Sequence, residues 1–147
     1  MLADYIDASM IKLQVKADSW QDAVRQGGNL LTTAGKCEQR YVDAMVEAVE
    51  TMGPYMVLAP GLALAHARPE DGVLDLGMSI ITLETPVEFG SELNDPVNLI
   101  ISFGGVDKES HIGMLSALAK FLMVEENQDF LRKATSISEV LEAFKEY

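Results

Sequence analysis

The run Val97-Asn98-Leu99-Ile100-Ile101-Ser102-Phe103 constrains this chain more than any other feature. It is the strongest strand signal in the sequence, and it does not alternate. A strand with one face in water reads apolar, polar, apolar. Consecutive apolar side chains, as at Leu99-Ile100-Ile101 and again at Ile80-Ile81, require a sheet covered on both faces. The cover has to come from helices before and after the strands. The predicted fold is therefore α+β, a three-layer α/β/α sandwich with a central mixed β-sheet.

The remaining patterns supply those layers. Ile11-Lys12-Leu13-Gln14-Val15 alternates and predicts a short strand. Ser19-Trp20-Gln21-Asp22 fits a capping box, and apolar residues at helical spacing follow it to Ala34, where Gly35 stops the helix. A second helix is predicted over about 38–52, with Tyr41, Val42, Met45, Val46, Val49 and Met52 on its apolar stripe. Pro60-Gly61 splits the apolar stretch 55–67 into two short strands. Gly77 to Leu83 is a buried strand, and Pro86 to Gly90 reads as an edge or loop segment. Helices are expected at about 110–124 and 127–133. A last helix opens at the capping box Ser136-Ile137-Ser138-Glu139, with Ile137, Val140, Leu141 and Phe144 inward. No linker or repeat interrupts the 147 residues, which predicts one domain over 1–147.

Charge and cysteine usage narrow the partners. With 23 acidic against 11 basic side chains the net charge is −12, which argues against nucleic acid and anionic membrane surfaces. Cys37 is the only cysteine, so no internal disulfide forms. The N-terminus shows no signal peptide and no apolar run reaches the length of a membrane span, so a cytoplasmic protein is expected. Cys37 follows Lys36, an arrangement that lowers a thiol pKa if the two groups are close; an incidental cysteine is the plain alternative. No metal spacing such as H-E-x-x-H and no nucleotide-binding glycine motif is present, so neither a metal nor a cofactor is expected.

Two histidines are the candidates for chemistry. His66 closes an apolar strand-like segment between the small residues Ala65 and Ala67, a rigid place from which to present a side chain. Arg68, two positions on, shares its face if the segment is extended, and a guanidinium beside an imidazole suits holding a phosphoryl group. A half-buried surface histidine beside an incidental arginine is the bland alternative. His111 falls, with Ser110, in the predicted first turn of a helix, where free N–H groups favour anions; a plain helix-start residue is the alternative there. The two histidines lie 45 positions apart, each after a predicted strand, so one rim of the sheet can hold both.

Gly61 to Gly72 resembles the active-site segment of the EIIA proteins of the bacterial sugar phosphotransferase system, in the mannitol/fructose class. Gly61-x-Ala63-x-Ala65-His66 resembles the phosphorylated segment, Tyr41-Val42-Asp43-Ala44-Met45 the start of the second helix, and His111-x-x-x-Leu115-x-x-Leu118-Ala119 the helix with the second histidine. Two departures stand out. Ala65 occupies a proline position, and Ala48 the position of an arginine that Arg68 is expected to replace. His66-Ala67-Arg68-Pro69-Glu70-Asp71-Gly72-Val73 is most similar to the ascorbate-specific branch.

The resemblance implies a phosphotransferase. His66 would take a phosphoryl group on Nε2 from phospho-HPr and pass it to a cysteine of EIIB, which serves membrane EIIC in uptake of ascorbate or a related carbohydrate. His111, and Arg68 in the missing arginine's place, would stabilise the phosphoryl group. Partners would dock on an apolar rim including Leu62, Leu64 and Ala67, and the chain's negative charge suits a basic partner face. A homo-oligomer is compatible with the sequence. A regulatory module that modulates another protein through the same phosphorylation is the rival reading, and neighbouring genes would separate the two. A small-molecule binder whose histidines only hold an anion is the third.

Overall fold

The run at 97–103 forms β5 (Val97–Gly104), in which Leu99, Ile100 and Ile101 are all fully buried. A computed structural model describes residues 1–147. The other strands are β1 (Ile11–Val15), β2 (Val57–Ala59), β3 (Leu62–Ala65) and β4 (Gly77–Val87). They make one mixed sheet in the order β1-β4-β5-β3-β2. β1 runs parallel to β4 and β3 parallel to β5, whereas β4–β5 and β2–β3 are antiparallel. The helices are α1 (Trp20–Thr33), α2 (Gln39–Met52), α3 (Lys108–Leu122), α4 (Glu125–Lys133) and α5 (Ile137–Phe144).

Adjacent residues of β5 identify the two covering layers. Ser102 faces α1, where a Cβ on Gly27 would lie 2.7 Å from its hydroxyl. Glycine at position 27 is thus what lets the helix lie close on the strands, and Ser79 donates to the Gly27 carbonyl at 2.7 Å. Phe103, the next residue, faces α3, its ring 5.8 Å from that of His111. The expected three-layer sandwich is what forms.

Some boundaries move, each for a local reason. β4 continues through Pro86 to Val87, which pairs with Val97, where a loop or edge was expected. The β1 ladder ends at Leu83, so proline at 86 removes no donor from it. α3 starts at Lys108, two residues earlier than expected, because the Asp107 carboxylate accepts from the Ser110 N–H and caps the helix. α4 starts at Glu125, placing Glu125 and Glu126 in its first turn, where the helix dipole favours acids. Met52, expected on the apolar stripe of α2, proves 67% exposed at the helix end. In α5, Val140 and Phe144 are buried, whereas Ile137 and Leu141 are only half-buried. The turns at Leu2–Asp4 and Ala8–Met10 had no sequence signal, yet they seat Leu2 in the core.

Ser102 gives a stability test. Its Oγ is buried and has no hydrogen-bond partner. A hydroxyl desolvated without a partner destabilises the native state, so Ser102→Ala should leave the fold intact and stabilise it by about 1 kcal/mol. Urea denaturation of both proteins checks this, and a lower midpoint for the alanine variant would contradict it.

Candidate active site

His66 is the first residue beyond β3, whose pairing with β5 ends at Ala65 and Ser102. Its ring is half-buried. Nδ1 lies 3.0 Å from the Leu64 carbonyl oxygen. A carbonyl only accepts, so this contact assigns the proton to Nδ1 and leaves the Nε2 lone pair free. Phe103 stacks on the imidazole at 5.1 Å with 12° between the planes, and Tyr55 meets it edge-on at 5.9 Å. The ring is thus held by one hydrogen bond and two aromatic contacts.

His111 sits across the same phenyl ring, tilted 47° to Phe103. Strand β5 therefore brings the two histidines to one rim, as their spacing predicted. One expectation is corrected. His111 is the fourth residue of α3, and its backbone N–H already donates to the Asp107 carbonyl at 3.0 Å. It is not among the free amides of the helix start. Its side-chain Nδ1 is buried without a partner, tight against Gly105, where a Cβ would come within 2.6 Å of it. That leaves Nε2 as the ring nitrogen available to an incoming group.

Arg68 is exposed and opens the short turn Pro69–Asp71, its backbone N–H donating to the Asp71 carboxylate at 3.1 Å. Its guanidinium has no ion-pair or hydrogen-bond partner. A cavity of about 220 Å³ is lined by Ala48, Met52, Tyr55, His66, Arg68 and Asp71 among others. Arg68 and Ala48 thus lie beside the same space as His66.

On its other side His66 borders an apolar groove of about 350 Å³, lined by Leu58, Leu64, Phe103, Leu115 and Leu118. The expected rim needs one correction. Leu62 is only 4% exposed, because it pairs with Leu99 in the middle of the sheet. Leu58, 61% exposed on the edge strand β2, takes its place.

Of two further residues, Cys37 is the incidental cysteine the sequence allowed, and Tyr41 does more than the sequence indicated. Lys36 pairs with Asp75 at 3.3 Å, and burial pushes the Cys37 thiol pKa up. Cys37 is therefore not an activated nucleophile. Tyr41 read as one member of an apolar stripe, but its hydroxyl reaches the site. It donates to the Phe103 carbonyl at 2.6 Å and accepts from the Ala67 N–H at 3.0 Å. Burial raises its pKa to about 12, so the phenol stays protonated and donating.

The fold thus gathers two imidazoles around Phe103 at one rim of the sheet, with the Arg68 guanidinium beside the cavity that His66 borders. Residues 4–147 match the model of the phosphoenolpyruvate-dependent sugar phosphotransferase system EIIA 2 family, and the chain belongs to that family. It is a phosphotransferase component of such a system. The ascorbate-specific PTS system EIIA component of Shigella flexneri is 46% identical over 134 residues, covering 90% of this chain and 86% of that protein. The solution structure of the mannitol-specific cryptic phosphotransferase enzyme IIA CmtB from Escherichia coli superposes with a TM-score of 0.90 at 35% identity, covering 99% of both chains. The enzyme IIA of the E. coli complex of mannitol enzyme IIA with phosphorylated enzyme IIB is similar at 30% identity and a TM-score of 0.83, covering 97% of this chain and 98% of that one.

Proposed function

We propose that this chain accepts a phosphoryl group from phospho-HPr on Nε2 of His66 and passes it to a cysteine of EIIB, for uptake of ascorbate or a related carbohydrate through membrane EIIC. The observation that carries this reading is the bond from the His66 Nδ1–H to the Leu64 carbonyl, which frees Nε2. A P–N bond forms at Nε2 as the bond to the donor breaks. A P–S bond to the EIIB thiolate then forms as that P–N bond breaks. Phosphoryl transfer needs little covalent chemistry from the protein, so positioning and charge stabilisation dominate. His111 offers Nε2–H to a phosphoryl oxygen, and Arg68 offers its unpaired guanidinium. Both hold the load without metal-like tightness, as a reversible carrier requires. The groove beside His66 offers partners an apolar seat. The 46% identity to ascorbate-specific relatives supports the substrate, and the mannitol IIA–IIB complex supports the EIIB partner. The relay operates in the cytoplasm; no helix is long and apolar enough to cross a membrane.

Labelled phosphoenolpyruvate with Enzyme I and HPr tests the reading, and an acid-labile phosphoprotein is expected. Absence of label overturns it. For His111 the expectation is a split between the two steps. His111→Ala should still accept phosphate at His66 but pass it on more slowly, by at least about tenfold, through loss of a charge-assisted contact. Stopped-flow transfer from phospho-HPr and to EIIB, measured separately, checks this. Unchanged rates in both steps would remove His111 from the site.

A further inference from the structure

We infer that Tyr41 is a positioning residue for phosphoryl transfer, its hydroxyl setting the backbone that presents His66; this rests on His66 being the phosphoryl acceptor. The β3–β5 ladder runs in register through Leu62–Leu99, Ala63–Ile100, Leu64–Ile101 and Ala65–Ser102, then stops. One more step would set His66 opposite Phe103 and join the Ala67 N–H directly to the Phe103 carbonyl. The Tyr41 hydroxyl lies between those two groups, accepting from the first at 3.0 Å and donating to the second at 2.6 Å. A direct rung is replaced by one bridged through a side chain, and the strands are held apart where the imidazole needs room.

The two backbone groups it joins are the ones that matter for geometry. Ala67 directly follows His66. Phe103 carries the ring that stacks on His66 and touches His111. One hydroxyl therefore fixes the nucleophile's chain against the surface on which its ring rests. The anchor is rigid because Tyr41 is fully buried in α2. The approach depends on Gly104, where a Cβ would lie 3.2 Å from the tyrosine hydroxyl and 2.8 Å from a Val73 methyl.

Tyr41→Phe removes the bridge and nothing else of the side chain. The freed Ala67 N–H and Phe103 carbonyl should then close toward each other or rotate, turning His66. The expected result is a folded protein whose maximal transfer rate in both steps falls about 10- to 100-fold, the scale of a small misplacement of reacting atoms. KM for phospho-HPr should change less than the maximal rate, because Leu58, Leu64, Leu115 and Leu118 of the groove make no contact with the Tyr41 hydroxyl. Nitrogen-15 NMR of His66 should show the Nδ1–H tautomer less populated than in wild type. Gly104→Ala keeps the tyrosine but crowds its hydroxyl as well as the Val73 methyl, so it should both slow transfer and shift the His66 tautomer, and that pair of changes carries the test if Tyr41→Phe does not fold. Wild-type rates and an unchanged His66 tautomer in the folded variants overturn the proposal; lower thermal stability with both readouts unchanged does the same, since it marks a purely structural tyrosine. Wild type and His66→Gln are labelled alongside. Equal labelling of those two would instead overturn His66 as the acceptor.

Discussion

His66→Gln should fold normally and take up no phosphate from phospho-HPr. Glutamine approximates the imidazole's size and supplies an amide N–H that can still donate to the Leu64 carbonyl, as Nδ1 does at 3.0 Å. The half-buried position and its packing against Phe103 are therefore retained with little strain. What glutamine lacks is a nucleophilic nitrogen with a free lone pair, since an amide nitrogen is delocalised into its carbonyl. No other residue at the site replaces it. His111 lies across Phe103 with its Nδ1 buried and, in the proposed role, its proton on Nε2, which leaves no free lone pair facing the site, and Cys37 is buried with a raised pKa. The loss should be complete, with a circular dichroism spectrum like that of wild type. Normal labelling of this variant would sink the assignment of the acceptor.

Arg68 carries the second large effect. Its guanidinium is unpaired and borders the cavity that also touches Ala48 and His66. A planar fork there meets two phosphoryl oxygens at once, which an ammonium does not, so both Arg68→Ala and Arg68→Lys should slow transfer. A charge-assisted contact contributes about 1.5–3 kcal/mol, or roughly 10- to 150-fold in rate for the alanine variant. Exposure of the side chain places the expected value toward the lower end. Because Ala48 borders the same cavity from α2, adding Ala48→Arg to Arg68→Ala should restore part of the rate. Wild-type transfer by Arg68→Ala in both directions would make Arg68 a surface residue only.

The layers and the reactive side chains could be read from the linear chain because each is encoded locally. Unalternating runs at 80–81 and 99–101 demand cover on both faces, and those residues are the buried centre of the sheet. Ser19 and Ser136 cap helices where their patterns place them, because a capping contact spans only three residues. His66 and His111 stood out as the only two histidines, each after a strand. The missed details depend on neighbours in space. Nothing local marks Leu62 as buried and Leu58 as exposed; pairing of β3 inside the sheet and β2 at its edge decides that. Lys36 and Cys37 are adjacent, but an ion pair with Asp75, 39 positions away, and desolvation of the thiol set the chemistry of both.

The His66 tautomer, the shared Phe103 surface and the Tyr41 bridge were likewise invisible. The sequence by itself determined a covered mixed sheet, its helices and two candidate imidazoles, since periodicity and capping act over a few residues. Only the tertiary structure decided which nitrogen of His66 is free and what holds its ring. A helix, β3 and β5 must first meet before a hydroxyl at position 41 can find a carbonyl 62 residues away.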